Sequence, residues 1–189
     1  MKIVIGLVGE KGGGKGTFTN LLREIATGKS IGCKRSGDVL LETLKIWNIT
    51  PNRTNLQKLA VIMDKTYGAG ALTGAVQKRI IEDPSDITVF DGVRWTSDAQ
   101  MIRQFSPNFL IYITADARTR YERTKLRKEK AGEENASFEQ FLKEEKAETE
   151  IFISRIGEAA DVKINNNGSL EELKERVADF YENHIKTLQ

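Results

Sequence analysis

The stretch GEKGGGKGT, Gly9 to Thr17, follows directly on the apolar run Ile3, Val4, Ile5, Gly6, Leu7, Val8. Five of its nine residues are glycine, which loses more backbone freedom on folding than any other residue, so ordering this segment needs a compensating interaction. A strand that passes through a glycine loop into a helix sets several backbone N–H groups around one concavity, at the positive end of the helix dipole. A phosphate fits there, and glycine keeps Cβ atoms clear of its oxygens. Lys15 follows the last glycine of the turn, where its ammonium reaches the β- and γ-phosphates of a nucleotide. The expected polyphosphate cradle is therefore Gly12, Gly13, Gly14, Lys15, Gly16 and Thr17.

Outward from this loop, β-branched apolar runs alternate with amphipathic stretches. Strands are expected at Ile3–Val8, Ile87–Phe90, Phe109–Thr114 and Val162–Ile164, with a weaker one at Ile31–Lys34. Helices are expected over Lys15–Thr27, Val39–Trp47, Leu56–Tyr67, Ala71–Ile81, Ser97–Phe105, Ala117–Lys130, Phe138–Ile156 and Leu170–His184. Such alternation predicts an α/β protein whose parallel sheet is covered by helices on both faces.

The 189 residues suit one domain, 1–189, that buries roughly 70% of the surface its unfolded chain exposes. With 29 basic and 27 acidic side chains the net charge is only +2, so bulk charge points to neither a nucleic-acid nor a membrane partner. Any anion site must be local. A single cysteine, Cys33, excludes an internal disulfide and fits a reducing cytosol. The first apolar run is too short for a signal peptide core and no later run approaches a membrane span, so a cytoplasmic protein is expected, as a monomer or homodimer. His184, the sole histidine, reads as a surface residue.

Two further features carry chemistry. In ITVFDGVRW, Asp91 ends an apolar strand, where a second parallel strand delivers an acid beside a phosphate loop to hold Mg²⁺ through water. A structural Asp–Gly turn is the bland alternative. From Arg118 to Lys130 seven basic residues face two acidic ones, and from Ala131 to Glu150 two basic face seven acidic. This is either a solvated helical hairpin whose charges cancel or a mobile lobe carrying arginines over a phosphate site. Arg120, Arg123 and Arg127 recur at three and four residues and share one helical face, which favours the second.

The string GxxGxGKGT departs from the Walker A pattern GxxxxGK[ST] at Gly16, the hydroxyl arriving one place later at Thr17. It resembles the loop of adenylate kinase and related nucleoside monophosphate kinases, and Thr17 is then the hydroxyl left to reach the metal. DGVR resembles the DGxPR segment of the same kinases, one residue shorter, which implies that Arg94 grips the acceptor's phosphate. RSGDVLLETL resembles STGDMLR, with Ser36, Gly37 and Asp38 matched and Leu41 standing where that family has an arginine. Asp38 is thus either a catalytic base or the N-cap of a helix beginning at Val39. ADVKINNNGSLEEL resembles the closing turn of dephospho-CoA kinases, which implies that Asn165, Asn166 and Gly168 border an adenine.

Together with YGAGAL, Tyr67 to Leu72, and TADARTRYERTKLR, these segments resemble archaeal-type proteins related to adenylate kinase and dephospho-CoA kinase. The resemblance implies a three-layer P-loop kinase fold with five parallel strands in the order 2-3-1-4-5. It also implies an acceptor lobe at about 36–82 and a helical lid at about 118–150. The implied activity is transfer of the γ-phosphoryl group of ATP, with Mg²⁺, to a small nucleotide acceptor, a (deoxy)nucleoside monophosphate first among them. Lys15 and Asp91 serve the donor, Arg94 the acceptor, and Arg120, Arg123 and Arg127 close over the phosphates. Two alternatives stand beside it: phosphorylation of a dephospho-CoA-like hydroxyl with Asp38 as base, and a slow NTPase switch with a macromolecular partner.

Overall fold

The computed structural model describes residues 2–68, 70–127, 137–146 and 150–188. The expected lid and the YGAGAL stretch fall partly outside these. A five-stranded, all-parallel sheet forms the middle layer, built from β1 (Ile3–Val8), β2 (Ile31–Lys34), β3 (Ile87–Val93), β4 (Asn108–Thr114) and β5 (Val162–Asn165). Its spatial order, β2-β3-β1-β4-β5, is the expected one. β1 lies at the centre, so both of its faces are buried: Ile3, Ile5 and Leu7 pack on one side, and Val4 and Val8 on the other. That is why it reads as a continuous apolar run rather than an alternating one.

Beneath one face lie α1 (Lys15–Ile25) and α9 (Leu170–Phe180), whose Phe18, Leu22, Leu173 and Val177 join Ile5 and Leu7 in one core. The other face is covered by α4 (Ala71–Glu82), α5 (Thr96–Ile102) and α8 (Ile153–Glu158) through Val76, Ile80, Met101, Ile102, Ile153 and Ile156. A satellite core of Leu40, Leu44, Leu59, Ala60 and Leu72 joins α4 to α2 (Ser36–Ile46) and α3 (Arg53–Tyr67). These three helices occupy the segment expected to form the acceptor lobe.

Two further helices, α6 (Ala117–Arg127) and α7 (Phe138–Glu144), pack through Tyr121 and Phe141, whose ring centres lie 5.7 Å apart. The single helix expected over Phe138–Ile156 is instead two, α7 and α8. Phe141 packs against α6 while Ile153 and Ile156 sit on the sheet, and one straight helix cannot serve both surfaces. β3 also runs three residues past its expected end, which places Asp91 within the strand. A register shift between Leu7 and Val8 falls opposite this point, where Leu7 pairs with Asp91 and Val8 with Val93. Among the described residues no helix is long and apolar enough to cross a membrane.

Candidate functional site

The carboxyl ends of β1, β2 and β3 open on a cleft of about 370 Å³, the place where open α/β sheets bind ligands. Each strand contributes there: β1 the glycine loop that follows it, β2 the next residues Arg35 and Ser36, and β3 its own Asp91 and Gly92 with Arg94 just beyond its end. Lys11, Lys15, Arg35, Arg94 and Arg127 supply its positive charge. Asp38, Asp91 and Glu150 oppose them, and Leu40, Leu41, Leu56, Leu72 and Trp95 form an apolar wall.

The loop is held tightly by its surroundings. Gly12 has φ of 80°, and a Cβ there would meet the Arg120 carbonyl oxygen at 2.5 Å. The Asn166 amide donates to the Gly13 carbonyl at 2.9 Å, and a Cβ on Gly14 would meet that same nitrogen at 2.3 Å. Glycine is therefore demanded by the chain's own packing as well as by the approach of a ligand. Glu10 pins the loop to β4, accepting from the Tyr112 hydroxyl at 2.6 Å and from Thr114 at 2.7 Å. Burial and this bond push the Tyr112 pKa up to about 12.

Among the described residues the N–H groups of Gly14, Lys15 and Gly16 donate to no protein acceptor. They form the N-cap and first turn of α1, the anion-favouring end of an 11-residue helix. Lys15 folds back so that its ammonium donates to the Gly9 carbonyl at 2.7 Å and the Glu10 carbonyl at 3.1 Å. It keeps partial solvent contact, yet the density of atoms around it pushes its pKa below the ordinary lysine value, with Asp91 opposing the shift and Arg94 adding to it. Gly16 has nothing within 4 Å of an added Cβ, whereas Thr17 is exposed and outside the cleft lining.

Of the two readings of Asp38, base or N-cap, the structure does not bear out the cap. α2 begins at Ser36 with Arg35 in the N-cap position, so Asp38 lies in the first turn, exposed and facing the cleft. Arg94 is positioned through its backbone: Asp98, 1% exposed, accepts from the N–H groups of Arg94 and Trp95 at 3.0 and 3.1 Å and from the Thr73 hydroxyl at 2.6 Å. The Arg94 guanidinium pairs with Glu150.

Arg120, Arg123 and Arg127 of α6 do not converge. Arg127 lines the cleft. Arg120 is 6% exposed and donates to the Ala115 carbonyl at 2.7 Å while pairing with Glu145. Arg123 donates to the carbonyls of Asn166 at 2.6 Å and Gly168 at 3.2 Å, bracing the turn after β5. That turn meets the phosphate loop through Asn166, and Asn165 and Gly168 are exposed beside it.

Sequence reasoning missed Glu10, Arg35, Asp98, Trp95, Glu145 and Glu150. Arg35 carried a signal, its place immediately after β2, and Asp98 stands just inside a helix start. The two glutamates sat in the acidic half of the charge-split segment with nothing to show which arginine each would meet.

No protein-family model matches the chain. Among solved structures, the shikimate kinase of Bacteroides thetaiotaomicron superposes with a TM-score of 0.59 at 11% identity, covering 95% of this chain and 98% of that one. The shikimate kinase of Acinetobacter baumannii, solved with shikimate, gives 0.56 at 16%, covering 98% and 96%. The fold is thus that of the P-loop kinases. A UPF0200 protein of Methanoregula boonei is 30% identical over 178 residues, 94% of either chain. By that identity and span, this chain belongs to the UPF0200 family.

Proposed function

We propose that the protein is an ATP-dependent phosphotransferase that moves the γ-phosphoryl group to a nucleotide-like acceptor, a nucleoside monophosphate in the first instance. The observation that carries this reading is the set of unpartnered amides of Gly14, Lys15 and Gly16 opening on the cleft that Asp91 and Arg94 also line. The likeness to proteins named as kinases supports the donor half and leaves the acceptor open.

The residues present fit magnesium bound through water. Asp91 lies close enough to Lys15 to oppose the burial-driven lowering of the lysine's pKa, and among the described residues no group of three ligating side chains surrounds it, which leaves water and phosphate oxygens to complete the shell. When bound there, the ion supplies charge neutralisation on the β- and γ-oxygens. The loop amides and Lys15 hold the triphosphate in line, Lys15 leaving its loop carbonyls for phosphate oxygen. An acceptor phosphate oxygen attacks Pγ, the bond from Pγ to the β,γ-bridging oxygen breaks, and ADP departs with that oxygen. No proton need be removed from a phosphate acceptor. Arg94, in this reading, turns the acceptor phosphate toward Pγ, and α6 with α7 excludes water that would otherwise take the phosphoryl group.

One observation favours a second reading. Asp38 faces the cleft with no side-chain hydrogen bond among the described residues, so it is available to take a proton from a hydroxyl acceptor. The test of both is ADP production with Mg·ATP over a panel of nucleoside monophosphates and dephospho-CoA, for the wild type, Lys15→Ala and Asp38→Asn. A monophosphate kinase shows acceptor-dependent turnover that Asp38→Asn leaves nearly intact. A hydroxyl kinase loses turnover in Asp38→Asn while ATP binding persists. ATP hydrolysis that no acceptor stimulates contradicts both and indicates a nucleotide switch.

A further inference from the structure

Arg35 has no part in the reading so far, yet it stands where β2 ends and lines the cleft with Asp91 and Arg94. Its Nε donates to Asp91 Oδ2 at 3.2 Å. Its two terminal nitrogens donate to no acceptor among the described residues, so the paired edge of its fork is left for a ligand. The preceding basic residue is already engaged: Lys34 pairs with Asp83 at 2.9 Å. Leu41, Leu56 and Trp95 line the same cleft and present apolar surface for the organic body of an acceptor, while Arg35 and Arg94 stand at the ends of β2 and β3 to meet its anionic group.

Arg94 follows Asp91 by three residues in the chain, and Arg35 is hydrogen-bonded to Asp91 from the neighbouring strand. Both arginines line the one cleft with Asp91 from neighbouring strands, Arg35 bonded to Asp91 and the Arg94 guanidinium paired with Glu150 of the same lining. Two forks suit a tetrahedral dianion, which offers each a pair of oxygens, better than they suit a single carboxylate. We propose that Arg35 and Arg94 together clamp the phosphate monoester of the acceptor, with its organic body against Trp95 and the leucines; this rests on the kinase reading for the identity of the acceptor.

The clamp also bears on the donor site. Arg35 occupies one oxygen of Asp91, the carboxylate assigned to water-bound magnesium. An acceptor phosphate that draws Arg35 aside releases that oxygen. The acceptor thereby completes the donor site, and ATP without acceptor meets an Asp91 that is still engaged.

The experiment titrates orthophosphate calorimetrically into protein saturated with Mg·AMP-PNP, which fills the phosphate loop. The wild type, Arg35→Gln, Arg35→Lys and Arg94→Gln are compared. Orthophosphate affinity should fall about tenfold or more in Arg35→Gln through the loss of charge-assisted bonds, with Arg35→Lys between the two. Mg·AMP-PNP should bind Arg35→Gln as tightly as the wild type or more tightly, an outcome that a merely structural role for Arg35 would not give. Orthophosphate binding within twofold of wild type in Arg35→Gln, no binding to the wild type at ~10 mM, or weakened AMP-PNP binding in the variant would each overturn the clamp. If no monophosphate on the panel stimulates ADP production, the kinase reading fails and this titration still decides the clamp.

Discussion

The phosphate loop and the arginine-bearing half of the cleft solve the same problem of holding anions by opposite means. In the loop the donors are main-chain amides locked in place by packing against β4, α6 and the turn after β5. In the other half the donors are long side chains, two of them held by carboxylates of the protein, Arg35 by Asp91 and Arg94 by Glu150, while Arg120, buried outside the cleft lining, is held by Glu145. The loop amides are ready for a ligand as they stand, and of the loop's donors only the Lys15 ammonium must leave its carbonyls. The arginine arms must exchange one anion for another. Two of those anions, Glu145 and Glu150, come from the acidic half of the charge-split segment, so the charges that cancel along the chain also cancel in space.

The largest effect should come from the loop's own cation. Lys15→Ala is expected to reduce phosphoryl transfer about 10²–10³-fold, read as ADP production at saturating acceptor. Next is the loop's backbone. Gly12→Ala forces a side chain into positive φ against the Arg120 carbonyl, and should destabilise the fold by about 2–4 kcal/mol in denaturant titration. Gly16→Ser is its counterpart: with open space at this position the variant should stay within about 0.5 kcal/mol of wild type.

The exchange of partners is tested by removing the internal anions. Glu150→Gln takes a charge from Arg94 and Glu145→Gln one from Arg120, and each should tighten phosphate-ligand affinity about three- to tenfold at low ionic strength, with the gain shrinking as salt rises. Unchanged affinity in both would show that the arginines do not give up their carboxylates to phosphate. The smallest effect concerns Lys15 and pH. Burial lowers its pKa, so the cost of charging it in the fold is fully present at neutral pH and is relieved as pH rises through the lowered value toward 10.5. A bound triphosphate restores the charged form. Binding on the alkaline side of neutrality should therefore take up protons, measured from the buffer dependence of the binding heat, and Lys15→Ala should abolish the uptake.

The layer architecture was legible because β1, β4 and β5 declare themselves as short apolar runs and the intervening stretches carry a helical period. The glycine loop was legible for a local reason too, since strand, loop and helix are contiguous. What stayed hidden depends on contacts between distant segments. Asp98 beneath Arg94 satisfies groups only three and four residues away, but its choice of the Arg94 and Trp95 amides, and its bond from Thr73, appear only when α4 meets α5. The break between α7 and α8 has no glycine or proline to announce it; it follows from the separate surfaces that Phe141 and Ile153 must reach. The helical face shared by Arg120, Arg123 and Arg127 misled in the same way. Spacing placed them together, and their partners Glu145, Asn166 and Gly168 drew them apart.

The central claim is that the unpartnered amides at the start of α1 receive a nucleotide's phosphates. The most direct measurement follows the ¹⁵N–¹H resonances of Gly14, Lys15 and Gly16 during titration with Mg·AMP-PNP. The account predicts large downfield proton shifts at these amides as they acquire phosphate acceptors, strongly diminished in Lys15→Ala. Resonances that stay in place while the nucleotide binds elsewhere, or does not bind at all, would contradict it.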